Sequence, residues 1–226
     1  MNVEERKQVV VPDSPEARRL ALLGEYHADL VEAESTFELA ESFTGETEPP
    51  GSDIYRFLVA HGVVAYARCF TTSNVRAKLD TILQVPAEHA STHKALIDFR
   101  NRTVAHSESS LQVTYAVVDL LRVEDETTVE RAMSITLANG APRSVIAEAQ
   151  RLIADLLEAL QALRDVAKAE VVASLDAAAA DWLWENGGRA RFVPTPEEEW
   201  AADTRRSKYP SSPDTPIYMG NKPAAG

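Results

Sequence analysis

Residues 143–184 contain neither glycine nor proline, and alanine and leucine are frequent among them. A stretch of that length with strong helix formers and no breaker predicts one long helix, from Pro142 to about Trp184. Ile146, Ile153 and Leu160 recur at seven-residue spacing, with Leu156 and Leu163 on the same repeat. Such a seam buries itself against other helices of a bundle or against a second subunit, and burial within a bundle is its commoner use. The expected fold class is therefore mainly α.

The rest of the chain supplies the other layers. Ser14-Pro15-Glu16 reads as an N-cap, a first-turn proline and an acidic first turn, opening a helix to about Phe43. Its apolar stripe includes Leu20, Leu23, Leu30, Phe37 and Leu39. Pro49-Pro50-Gly51 ends that region. A second helix is predicted from Asp53 to Phe70, with Ile54, Phe57, Leu58, Val64 and Phe70 as its apolar face. A third is predicted from Ala87 to about Val104, after Pro86. Residues 112–123 and 127–137 are rich in β-branched side chains, and acidic residues separate them. They read as a two-stranded hairpin turning near Glu124-Asp125-Glu126. A helical alternative for 112–123 stays open, because short apolar runs are ambiguous.

The expected organisation is a flexible N-terminus over 1–13, a helical domain over 14–186 with the hairpin at about 112–137, and an extended tail over 187–226. The tail holds Gly187-Gly188 and six prolines, and Trp182, Trp184, Phe192 and Trp200 are candidate anchors for its first part. The charged start MNVEERKQ has no apolar segment of signal-peptide type behind it, and no run approaches the ~18 apolar residues of a membrane span. A single cysteine, Cys69, forms no internal disulfide, so a reducing cytoplasm is the expected location.

A net charge of −12 argues against broad coating of a long polyanion. The average hides an asymmetry. Residues 54–106 hold seven basic and three acidic residues, a local charge of +4, whereas the remainder holds 16 basic and 32 acidic ones. Four of the five histidines, His61, His89, His93 and His106, also fall in that segment. The pattern fits a local anion site; chance unevenness on a helical surface is the competing explanation.

Within it stands His93-Lys94-Ala95-Leu96-Ile97-Asp98-Phe99-Arg100-Asn101-Arg102-Thr103-Val104-Ala105-His106-Ser107. An arginine is followed by a polar residue, and a histidine lies six positions after the arginine. This resembles the Arg-polar-x(4)-His signature of the HEPN superfamily. Leu-Ile-Asp-Phe before the motif and Ala-His-Ser after it are similar to abortive-infection members, and Ala65–Phe70 resembles an upstream helix of such proteins. The resemblance covers about residues 15–165, although its diagnostic part is seven residues. The hairpin departs from a plain helical HEPN bundle.

The resemblance implies a metal-independent endoribonuclease without a cofactor, of toxin or phage-defence type, with its site at a homodimer interface. It also implies RNA as substrate and, often in the family, an inhibitory partner such as a nucleotidyltransferase. Arg100, Asn101 and His106 become the candidate catalytic residues, with Arg102, His93, Ser107 and Arg68 as candidate substrate-binding residues. The chemistry is coherent on its own terms. A 2′-hydroxyl attacking the adjacent phosphate needs a base near neutrality, which histidine supplies. It also needs a permanent cation on the phosphate oxygens, and the arginine fork suits that role.

Six residues of α-helix turn through about 600°, so Arg100 and His106 do not share a face of one uninterrupted helix. Either the helix ends near Val104, or the two side chains meet a partner's copies across a two-fold axis. Arg100 shares a stripe with His93, Leu96, Ile97 and Val104. A charge there either faces a cleft or is bridged by Asp80 or a glutamate of the first helix. For His106 the plain alternative is a helix C-cap. A non-catalytic HEPN-like module binding a nucleotide or protein is the second functional expectation, and a purely structural helical dimer the third. His89 and His93 have metal-ligand spacing but lack an evident third ligand. Cys69 on a helix face reads as a buried structural cysteine rather than a nucleophile. Tyr66 and Tyr115 are expected to pack in the core.

Overall fold

The computed structural model describes residues 5–43, 53–73, 75–106, 108–123, 125–188, 192–193 and 217–218. It is mainly helical. Helix α1 spans Pro15–Ser42 and α2 spans Asp53–Arg68. Two 3₁₀ turns, Leu79–Thr81 and Ala87–His89, precede α3 at Ala90–Phe99, which continues as a π turn over Arg100–Val104. A hairpin follows, β1 at Gln112–Val123 and β2 at Glu126–Ala138. Helices α4 (Arg143–Ala173) and α5 (Ala177–Asn186) come next, and β3 (Phe192–Val193) pairs in parallel with β4 (Ile217–Tyr218).

The chain divides into two compact units, residues 26–71 with 78–159, and residues 1–25 with 72–77 and 160–226. In the first, α1 buries Tyr26, Leu30, Ala33, Phe37 and Ala40, a spacing of alternating four and three that keeps one seam inward. Leu39, expected in that stripe, is 48% exposed because it falls outside this alternation. On α4, Ile146, Ala149, Ile153 and Leu156 are buried with the same alternation, so this part of the seam is consumed within the chain. Gln150 of α4 donates to Glu41 of α1 at 3.4 Å.

The face of α2 is rotated from the expected one. Tyr55, Val59, Gly62, Val63 and Tyr66 are buried, while Ile54 and Phe57 are largely exposed. The Arg56 guanidinium lies 4.8 Å from the centre of the Phe57 ring, an exposed cation–π contact. Gly62 explains the rotation. A Cβ there would sit 2.5 Å from Cε1 of Phe37, so only glycine lets α2 approach the α1 ring this closely. The Tyr55 hydroxyl donates to the Ala141 carbonyl at 3.1 Å and fixes the start of α2 against the approach to α4. Cys69 is fully buried, with Sγ 3.8 Å from the Tyr26 carbonyl, as expected of a structural cysteine.

The hairpin takes the extended reading of 112–123, not the helical one. Its strands pair antiparallel from Gln112↔Ala138 to Val123↔Glu126, with Glu130 bulged out where the register shifts after Asp119. No residue of either strand is buried. Tyr115, expected in the core, is 52% exposed.

In the second unit, Ser14 caps α1 as expected, its Oγ accepting from Ala17 N at 3.1 Å. Arg19 pairs with Glu170 at 2.7 Å. The predicted single helix to Trp184 is two helices, a correction with a local cause. Asp176 adopts extended geometry and its carboxylate accepts from Ala179 N at 2.7 Å, which starts α5 afresh. Gly187 follows α5 where a Cβ would meet the Leu183 carbonyl at 2.4 Å and Val9 at 2.9 Å. The N-terminal lead-in is tied there: Val10 N–H donates to Gly188 O at 2.9 Å, and Lys7 Nζ to Trp184 O. Trp182 and Trp184, expected as anchors, are largely exposed; Trp200 lies outside the described residues.

Candidate active site

The third helix carries the motif, and its end is unusual. Ala105 N–H reaches back five residues to the Arg100 carbonyl at 2.9 Å, which widens the last turn. Such π turns are rare and concentrate at functional sites. The β-branched Thr103 and Val104 weaken a regular turn, and helical structure stops at Val104. The helix thus ends at Val104, as the first of the two geometric alternatives requires. Glu108 N–H then satisfies the Arg102 carbonyl at 3.1 Å, and the chain enters β1 four residues later.

Arg100 is half-buried and donates from Nη1 to Asn101 Oδ1 at 3.0 Å. The carboxylate bridge that would make it a structural arginine does not form among the described residues. Asn101 is exposed, and with Oδ1 engaged its amide NH₂ retains two donors. The amide therefore orients the guanidinium rather than the imidazole. His106 is exposed, two residues past the helix end, with no hydrogen bond to Arg100 or Asn101 among the described residues.

The other cations of residues 54–106 are mostly neutralised. Arg56 pairs with Asp53 at 2.7 Å, Lys94 with Asp98, and Arg76 approaches Glu25 at 3.8 Å. Arg68 lies 2.9 Å from Asp29 and also binds Glu32, whose other oxygen holds His61 at 2.8 Å. Arg68, a candidate for substrate binding, is thus consumed in a carboxylate cluster on α1. Arg102 is exposed and faces no direct partner among the described residues. Lys94, first by its hydrogen bond, then Arg102 by its charge, lower the Asp98 pKa.

The histidines divide in the same way. His89 bonds Asp155 at 2.8 Å through Nε2. His93 Nδ1 and the buried Tyr66 hydroxyl share a hydrogen bond at 2.7 Å, with the Phe70 ring 4.7 Å away edge-on. Burial pushes the His93 pKa down, only partly offset by Asp80, and burial pushes the Tyr66 phenol up. The shared hydrogen bond and the two aromatic neighbours hold His93 against Tyr66 and Phe70. His89 and His93 thus face different partners, and no group of three or more metal-ligating side chains converges among the described residues. Ser107 lies outside the described residues.

Tyr66 escaped the sequence reading as a positioning group. Its i,i+4 neighbour Phe70 was the available signal, but only the fold brings α3 against that pair. No helix is long and apolar enough to cross a membrane among the described residues. Comparison with family models, curated proteins and solved structures found no match.

Proposed function

We propose that the chain is an HEPN-like endoribonuclease that cleaves RNA through its own 2′-hydroxyl, without a metal ion, at a site built on Arg100, Asn101 and His106. One observation carries the reading. Four other cations of the basic segment are bound to carboxylates, whereas among the described residues Arg100 is bonded by the neighbouring amide, at a π turn with no buried residue. A guanidinium so placed keeps its full charge for an incoming anion. Asn101 fixes its plane and adds amide donors to the same phosphate.

In this scheme His106 takes the 2′-hydroxyl proton as that oxygen attacks phosphorus. The bond to the 5′-oxygen breaks, a 2′,3′-cyclic phosphate forms, and the departing oxygen is protonated from solvent or a second histidine. Arg100 stabilises the charge on the non-bridging oxygens as it builds. The imidazole and guanidinium are not bonded to each other, so substrate, or the motif of a second copy, links them.

The test is incubation of the full chain with single-stranded RNA in the presence of a chelator. Cleavage to cyclic-phosphate ends is expected, lost on 2′-deoxy substitution at the scissile nucleotide. Replacing the base, His106→Ala, is expected to slow cleavage by about 10²–10⁴-fold. An equally folded His106→Ala protein that cuts as fast as the parent defeats the proposal. A second reading, a non-catalytic module that binds a nucleotide or protein, is favoured by the −12 net charge. It is the outcome if RNA stays intact while a nucleotide raises the melting temperature.

A further inference from the structure

His61, His89 and His93 are each bonded through one ring nitrogen, and the partners differ in kind. His61 and His89 meet the carboxylates of Glu32 and Asp155. His93 meets a phenol, through Nδ1 and the Tyr66 hydroxyl at 2.7 Å. Tyr66 is fully buried, and the Tyr66 and Phe70 rings lie edge-on to the imidazole at 5.9 and 4.7 Å. The other ring nitrogen, Nε2, has no hydrogen-bond partner among the described residues, and His93 is half-buried, not enclosed. An imidazole fixed at one nitrogen by a buried group holds the opposite nitrogen oriented for a further ligand.

The place of His93 on α3 supplies that ligand. His93, Ile97 and Arg100 are spaced by four and three residues, so they share one stripe of the helix, and none of them is fully buried. Helix α2 packs along both α3 and the π turn. From His93 to Arg100 is about 10 Å along the axis. His106 lies on the other side of Arg100, beyond the helix end at Val104. The two histidines therefore flank Arg100 from opposite ends of the motif.

We infer that His93, held by Tyr66, binds the nucleotide on the 3′ side of the scissile phosphate, with Nε2 hydrogen-bonded to an uncharged group of that nucleotide. The inference rests on the cleavage scheme proposed above, which sets the direction of the strand. His106 takes its proton from the ribose that precedes the scissile phosphate, and Arg100 holds the phosphate. The nucleotide carrying the departing 5′-oxygen then extends away from His106, along the stripe toward His93. The character of the contact follows from the imidazole. Burial lowers its pKa, only partly offset by Asp80, and a phenol does not favour the imidazolium as a carboxylate does. An uncharged ring nitrogen recognises a ribose hydroxyl or a base edge, not a phosphate. It also has no readily released proton for a leaving oxygen, so the role is binding, not proton transfer.

The experiment combines protein variants with modified single-stranded RNA at about pH 8, above the ordinary histidine pKa, in the presence of a chelator. His93→Asn keeps an amide near the position of Nδ1 for Tyr66 and removes Nε2. It is expected to raise KM by about three- to tenfold with kcat unchanged. The salt dependence of its binding to an RNA made uncleavable by 2′-deoxy substitution at the scissile nucleotide is expected to match the parent, because no phosphate contact is lost. Tyr66→Phe, which removes one hydroxyl, is expected to raise KM in the parent and to add nothing in the His93→Asn background. Circular dichroism shows that each variant is folded.

On the RNA side, the nucleotide after the cut is made 2′-deoxy in one substrate and abasic in another. One of the two is expected to cost the parent the same factor and to cost His93→Asn nothing more. Loss with the 2′-deoxy substrate identifies the ribose hydroxyl, and loss with the abasic substrate the base edge. An unchanged KM in folded His93→Asn protein overturns the inference and leaves the cleavage scheme standing. A fall in kcat at unchanged KM also overturns it, by assigning His93 to proton transfer. So do substitutions of that nucleotide that cost both proteins equally. If the parent cleaves no RNA, the cleavage scheme and this inference fall together.

Discussion

Arg100 and His93 share a helix stripe, yet their surroundings give them opposite roles. Arg100 has no carboxylate partner among the described residues and lies partly in water. Arg100→Ala is therefore expected to change stability by no more than about 0.5 kcal/mol. Loss of RNA cleavage by about 10²–10³-fold is expected alongside it. A large fall in melting temperature would mark Arg100 as structural instead. His93 is the reverse case, because burial holds its pKa below the ordinary histidine value. The unfolded chain then takes up the proton first. The contribution to stability is complete above the unfolded pKa, near 6.5, and declines as pH falls through the depressed folded value. Melting temperature is expected to drop on acidification below that point, and His93→Phe is expected to flatten this part of the profile. An unchanged profile in the variant would assign the acid sensitivity elsewhere.

At the scale of elements, helix existence was legible from capping and periodicity, and helix facing was not. Ser14-Pro15 marked the start of α1 because both residues act within one turn. The α2 face was misjudged because Ile54 and Phe57 outrank Tyr55 and Gly62 in hydrophobicity, while close approach to Phe37 selected the glycine side. Gly62→Ala is expected to cost about 1–3 kcal/mol by overpacking the Phe37 contact, read as a shift in denaturant midpoint. The break between α4 and α5 depends on one carboxylate bonded to Ala179 N–H. Asp176→Ala is expected to destabilise by about 1 kcal/mol, with a loss of helical signal confined to the α5 region in hydrogen exchange. The hairpin was readable because β-branched alternation acts locally. The openness of both its faces was not, since burial is a property of everything packed around a strand.

For the whole molecule, charge is the governing quantity. The local +4 of residues 54–106 is largely cancelled by carboxylates from α1 and from within the segment; among the described residues Lys78, Arg100 and Arg102 are left without one, the last two near the helix end. RNA binding is thus expected to involve few phosphates. The slope of log affinity against log salt is expected to be shallow, corresponding to about two counterions. A steep slope would indicate a broad basic surface and contradict the local site.

The amino-acid order alone determined the mainly helical class and the position of the Arg-Asn-x(4)-His string, and it favoured the hairpin and a buried cysteine. Each depends on neighbours within a few turns or on alternation along one strand. Tertiary structure decided which cations stay unpaired, which histidine is sequestered by Tyr66, and that both faces of the hairpin stay open. Those outcomes depend on residues dozens of positions apart, such as Glu32 against Arg68 or Asp155 against His89. Coulomb attraction and burial act through space, so the string along the chain does not encode them one position at a time.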